Sequence, residues 1–184
     1  RSLELPNDTF TYKLTLGAIA RAQGGFIGSL IIASHNNSIA VPPLNGLSSE
    51  DIEIDIGNLF ESIIIDKGKA EIIITNNLPL DIENVDFMVN NNPIHGGGLI
   101  LRDTFATILQ NTTFAKEIPI DGKTLYSDLI AQIVSLNTPG SGTTPVLIDT
   151  NAALTAQIII KDLKPKEANA IWPQQSVINK TKLV

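Results

Sequence analysis

This sequence predicts an all-β fold, an antiparallel β-sandwich, and three observations predict it. Apolar and polar residues alternate with a period of two in several separate runs. Clusters of Asn, Gly, Asp and Pro interrupt those runs at intervals on the order of ten residues, the rhythm of a sandwich or barrel. The turn residues have specific backbone uses, asparagine tolerating the left-handed region and proline ending a ladder, as in Asn76-Asn77-Leu78-Pro79 and Asn90-Asn91-Asn92-Pro93.

In chain order, Thr9–Leu16 sets Phe10, Tyr12, Leu14 and Leu16 on one face and Thr9, Thr11, Lys13 and Thr15 on the other, the pattern of a half-buried strand. Phe26–Ala33 is the longest apolar run; it contains Gly28 and Ser29 and falls far short of the roughly 20 residues of a membrane span. Val41-Pro42-Pro43-Leu44 reads as an extended edge or connector. Asp51–Ile56 repeats the alternation with Ile52, Ile54 and Ile56 facing in. Ile63-Ile64-Ile65 and Ile72-Ile73-Ile74 flank Asp66-Lys67-Gly68-Lys69, which reads as a β-hairpin with Gly68 supplying the positive φ of a tight turn. Asn76-Asn77-Leu78-Pro79 closes the second of these strands. Val85, Phe87 and Val89 mark another, ended by Asn90-Asn91-Asn92-Pro93.

Gly96-Gly97-Gly98 is a loop, and Asp121-Gly122 and Thr138–Gly142 are turns. The segment 124–136 admits two readings. Leu125, Leu129, Ile130, Ile133 and Val134 make a helical stripe, whereas Leu129, Ala131 and Ile133 line one face of a strand; the strand is preferred and one short helix is the alternative. Leu154, Ala156, Ile158 and Ile160 form the last clear strand. Trp172-Pro173 follows, and Asn179–Val184 reads as the approach to a further strand. Residues 1–184 are expected to form a single sandwich domain, a mature or trimmed piece of a larger exported protein, since Arg1 stands where a start methionine would and no leader pattern follows it.

Composition narrows the function. A hydrophobic fraction of 43 % against 17 % charged is that of a folding chain, not a disordered tail. The formal net charge of −6 sets a field that repels phosphate backbones, which excludes nucleic acid as a partner. The basic bias of Lys161, Lys164, Lys166, Lys180 and Lys182 lacks interleaved aromatics and reads as a solvated face or tail. The absence of cysteine removes disulfides, zinc–thiolate sites and thiol nucleophiles together.

Candidate chemistry is thin. His95-Gly96-Gly97-Gly98 matches the glycine loop that builds an oxyanion hole in some esterases, but the partner Gly-x-Ser-x-Gly elbow is missing. Gly122-Lys123-Thr124 ends like a phosphate-binding loop, yet Glu117 stands where the upstream glycine belongs. Asp51, Glu53 and Asp55 project from one strand face about 7 Å apart, which makes them weak calcium candidates; a straight strand cannot wrap them around one ion, and a solvated acidic face gives the same pattern. Two histidines, His35 and His95, are too few for a metal triad unless acids complete it. No cofactor is expected. With 5 % aromatic residues, Tyr126 and Trp172 are the interaction candidates.

The run Lys69–Phe87, with Asn76-Asn77-Leu78-Pro79 between two alternating segments, together with Asn137–Gly142 and Asp149–Leu154, resembles immunoglobulin-like sandwich modules of Bacteroidota cell-envelope and surface lipoproteins. The resemblance covers under a third of the chain. It implies a sandwich that is immunoglobulin-like or related, an exported location at the bacterial cell envelope or surface, and no catalytic residues. The expected function is a non-catalytic structural or protein-interaction domain, with other envelope or surface proteins, or neighbouring domains of the same parent chain, as partners. A carrier for a lipid or other apolar ligand is the alternative, suggested by the isoleucine runs, and an acidic-site hydrolase with two carboxylates in a cleft is the third.

Overall fold

The computed structural model describes residues 9–56 and 60–170. Its elements are β1 (Thr9–Thr15), α1 (Leu16–Gln23), α2 (Gly25–Ala33), β2 (Ser38–Ile39), β3 (Leu44–Leu47), β4 (Ile52–Asp55), β5 (Phe60–Asn76), β6 (Ile82–Asn91), a 3₁₀ turn at Pro93–His95, β7 (Leu99–Ile108), β8 (Thr112–Pro119), β9 (Thr124–Tyr126), β10 (Asp128–Thr138), β11 (Val146–Leu147) and β12 (Ala153–Ala170). Trp172, Lys180, Lys182 and the strand expected over 179–184 lie outside the described residues.

Two five-stranded antiparallel sheets face each other, and β2 pairs with β11 in a separate two-stranded sheet. The first runs β1-β12-β5-β8 with β9 also on β5, and the second runs β3-β10-β6-β7 with β4 also on β10. The chain therefore passes between the two sheets at most connections, the exceptions being β3–β4, β6–β7 and β8–β9. That is the strand order of a jelly roll, so the sandwich is of the related kind and not the immunoglobulin order. Between the sheets the inward side chains form one contiguous cluster in which Phe60, Phe87 and Phe105 are 1 % exposed and Ile63, Ile72 and Ile82 are 0 % exposed.

Segment 124–136 is strand throughout apart from Ser127: β9 and then β10, with Leu129, Ala131 and Ile133 buried. The helical alternative fails because neighbours on both sides satisfy β10 as a ladder, β6 along one edge and β3 and β4 along the other. Helices occur instead where a strand end and an apolar run were expected. Thr15 Oγ1 accepts the Ala18 N–H at 3.1 Å, an N-cap that starts α1 at Leu16. Gly24, at φ +62°, turns α1 into α2, and a Cβ on Gly28 would lie 2.1 Å from the Ala20 carbonyl oxygen, so the two helices meet at backbone contact.

The hairpin expected at Asp66–Lys69 is absent. Both isoleucine triplets belong to the single strand β5, which pairs along its length with β12. The buried set moves from Ile63 and Ile65 to Gly68, Ala70, Ile72 and Ile74, a change of parity that marks a bulge over Asp66-Lys67. Gly68 has no positive φ. A Cβ there would stand 3.1 Å from Ile65 Cγ2 and 3.4 Å from Ile120 Cγ1, so a larger residue would need these side chains to shift. At this bend β5 exchanges β8 for β9 as its neighbour, and Asp121, in the turn between them, accepts the Gly68 N–H at 2.9 Å.

The second sheet repeats the device. The register of β10 shifts between Ile133 and Ser135 where its neighbour changes from β4 to β3, and Ser49 fills the gap, its Oγ accepting the Ile133 N–H at 3.0 Å.

Asn76 is fully buried at the end of β5. Its amide donates to the carbonyls of Leu80 (2.9 Å) and Ile108 (3.0 Å), and its Oδ1 accepts the Leu78 N–H (3.0 Å), tying the β5–β6 turn to the end of β7. Asn76→Ala is expected to lower unfolding free energy by about 2–4 kcal/mol, because it orphans buried backbone groups, and a urea titration measures this.

Acid should weaken the first sheet. The Lys69 ammonium hydrogen-bonded to Glu117 holds that carboxyl below its usual value, and the Gly68 N–H, then Lys67, does the same for Asp121. A depressed folded-state pKa contributes stability above the ordinary carboxylate pKa and loses it as pH falls through the folded value. The melting temperature is expected to drop between about pH 5 and pH 2, with a smaller drop in the Glu117→Gln, Asp121→Asn double variant. An equal drop in both proteins would show that these carboxylates contribute nothing.

Candidate functional site

The turn from β6 to β7 collects the side chains to which chemistry can be attached. Asn92 caps it, its Oδ1 accepting the Ile94 N–H at 3.1 Å, and Pro93 starts the 3₁₀ turn with its fixed φ. Gly96, Gly97 and Gly98 then take φ of +85°, +70° and +121°, which side-chain-bearing residues rarely adopt.

Three contacts hold this loop. His95 Nε2 lies 2.5 Å from Asp128 Oδ1 at the start of β10. The His95 ring stacks on Tyr126 with centroids 4.6 Å apart and planes 2° from parallel. Asn91, 4 % exposed, donates its backbone N–H to the Gly98 carbonyl (2.9 Å) and its amide to the Thr124 carbonyl (2.8 Å), while its Oδ1 accepts the Tyr126 N–H (3.1 Å).

Beside the loop lies an open groove of about 370 Å³, with Ile130 in its lining, flanked by Asn90 and Gln132, and with Asp51 and Gly97-Gly98 on its walls. Its lining combines the Asp51 carboxylate, the amides of Asn90, Asn91 and Gln132 and the apolar Pro93 and Ile130, with no cationic side chain. The Ser127 hydroxyl donates to Asp128 Oδ1 at 3.4 Å and not to His95, so the order of contacts is not that of a base-activated serine.

The acidic candidates are spread out. Glu53 and Asp55 face outward on β4, opposite Ile130 and Asp128 of β10, and Asp51 precedes the strand at the groove. Asp51 is the carboxylate of the groove, which therefore does not present the pair that glycoside hydrolysis requires. Among the described residues no three His, Cys, Asp or Glu side chains converge closely enough to hold a metal ion, so Asp51, Glu53 and Asp55 are not brought together as a calcium site. Tyr126 is half-buried and committed to His95; Trp172 lies outside the described residues. His35 is elsewhere, after α2, its Nδ1 2.9 Å from the Thr150 hydroxyl and accepting the Thr150 N–H at 3.2 Å. Gly122-Lys123-Thr124 is the turn into β9.

Asn91 and Asp128 did not stand out in the sequence. Asn91 nevertheless falls in the inward register of Val85, Phe87 and Val89. A polar side chain there must find buried partners, and that signal was available.

No protein-family model matches the chain, and no characterised protein matches its sequence. Solved structures similar to it include one titled "CBM4 structure and function", at 14 % identity over 72 % of this chain and 82 % of the other, with a TM-score of 0.27. Another is deformed wing virus, a honeybee pathogen, at 6 % identity over 98 % and 55 %, TM-score 0.34. A third is desmodium yellow mottle tymovirus, at 12 % identity over 96 % and 95 %, TM-score 0.26.

The two kinds of tie predict different losses. His95→Ala removes a half-buried contact and is expected to cost about 1 kcal/mol or less while speeding amide exchange at Gly96–Gly98. Asn91→Ala removes buried bonds and is expected to cost about 2–3 kcal/mol. Denaturant titration and hydrogen exchange, run on both variants, separate them.

Proposed function

We propose that this chain is a non-catalytic structural or protein-interaction domain of an exported cell-envelope or surface protein. The observation that carries the interaction reading is the apolar surface left in water. Phe26 of α2 is 80 % exposed, Ile94 of the glycine loop 76 % and Leu147 of β11 61 %. α2 has no charged residue from Gly25 to Ala33 and packs against α1, and a helix apolar all round normally has cover on every side. The envelope location rests on the resemblance of Lys69–Phe87 to surface modules. Partners are other envelope proteins or neighbouring domains of the parent chain.

A photo-crosslinking residue placed at Phe26 in the protein's native cells should give discrete adducts in the envelope fraction, and the same residue at exposed Glu83 should not. Phe26→Ser should abolish function of the parent protein while leaving the melting temperature within about 2 °C, as exposed substitutions do. Recovery of the chain from the cytosol, or identical adducts from both positions, would overturn the proposal.

A further inference from the structure

We infer that β8 is a pairing edge and that its partner is the β8 of a second copy of this chain, the two strands joining the first sheets of both copies across a twofold axis at Ala115. This goes beyond the interaction reading above and does not depend on it.

Edge strands invite pairing because one row of N–H and C=O groups faces outward, and most edges carry a device against it. β1 carries Lys13, half its length is partly buried, and its register ends in α1. β4 is short and carries Glu53 and Asp55, β3 is as short, and β7 has a register shift opposite Val89-Asn90. β8 carries Lys116 and Glu117 and ends in Pro119, but it is neither short nor interrupted by a bulge. Its eight residues pair with β5 in one unbroken register, so the strand is regular, and every residue but Ile118 is exposed. Among the described residues it has no other strand neighbour.

The charges that would repel a partner are already matched within the chain. Lys116 lies 2.5 Å from Asp103 and 5.9 Å from the Phe105 ring, and Glu117 lies 2.8 Å from Lys69. Phe114, edge-on to Phe105 with centroids 5.8 Å apart, and nearby Leu109 remain 40 % and 52 % exposed.

The sequence of the strand is self-complementary in one antiparallel register. Centred on Ala115, Lys116 falls opposite Phe114 of the other copy, Glu117 opposite Thr113 and Thr112 opposite Ile118, so no like charges meet and the proline lies beyond the ladder. Centred on Lys116, two ammonium groups would face each other. Centred on Phe114, Glu117, Ile118 and Pro119 would have no strand partner. A two-copy interface is isologous, which a twofold at the small Ala115 side chain satisfies.

Sedimentation equilibrium on the whole chain, from about 10 µM to 1 mM, tests this, since association follows mass action. The wild type should approach twice the 19.8 kDa chain mass as concentration rises. Ala115→Glu and Ala115→Lys, each checked for a cooperative melt, should each stay at one chain mass, because like charges then meet at the axis. An equimolar mixture of the two should recover the two-chain mass. A wild type that remains one chain throughout, or variants that associate as strongly as the wild type, would overturn the inference.

Discussion

Strict alternation cannot persist along the longest strands of this molecule, and the way each strand breaks it governs the rest of the structure. β5 spans 17 residues and β12 spans 18. Their inward faces change parity at neighbouring places, β5 over Asp66-Lys67 and β12 between Lys161 and Lys164, where Asp162 takes φ +52°. A bulge in one strand of a pair bends that strand; bulges side by side bend the sheet without undoing the ladder between them. Because the sheet bends there, its edge cannot be one straight strand. It is instead β8 and β9, joined by a corner whose Asp121 carboxylate holds the Gly68 N–H. β10, with its edge split into β3 and β4 around Ser49, solves the same problem in the opposite sheet.

Polar side chains in the inward register are the second expression of this constraint. Asn76, Asn91, Ser49 and Thr138 are buried where the alternation would place apolar groups. Asn76, Asn91 and Ser49 bond backbone groups that a corner or a strand end leaves without a ladder partner, and the Thr138 hydroxyl accepts the Gly140 N–H at 3.1 Å in the turn after β10. Apolar substitution at such a position removes no large contact area; it costs the desolvation of the groups left behind. Asn91 stands where β9 and the loop that carries His95 meet: its side chain secures β9 through Thr124 and Tyr126, while its backbone N–H secures the loop through Gly98.

The β-class and several strands were legible in the sequence because burial on one face imposes a two-residue period that survives any topology; β7 and β8 were not, since the buried positions of β7 do not alternate and β8 is exposed on both faces. Thr9–Thr15, Ile52–Asp55, Val85–Val89 and Leu154–Ile158 carry it plainly. Asp66-Lys67-Gly68-Lys69 misled because the residues that permit a tight turn also permit a bulge; the change of inward parity from Ile65 to Ala70 separates the two, and it fits either the far arm of a hairpin or a continued strand until the long-range partner β12 is known. α1 was hidden in an alternating run whose last member, Leu16, is the first helical residue, decided by the Thr15 cap. The candidate site was half legible: His95 and the three glycines stood out, whereas Asp128 acquires its meaning from β10 lying beside the loop, a contact between residues 33 positions apart.

Phe60, Phe87 and Phe105 occupy the interior, and the His95–Asp128 pair ties the glycine loop to the start of β10. The outer face of the first sheet is crossed by ion pairs, Lys69 with Glu117 and Lys161 with Glu71, that run diagonally between strands. Such pairs contribute little stability in water, but they neutralise each other's field at the surface. A sheet whose charges are matched internally has no long-range repulsion to keep a second sheet edge away. In an acidic chain of net charge −6, that local neutrality separates the β8 side from the acid-bearing β4 side, so the two edges of the sandwich are electrostatically unlike even though both end in strands.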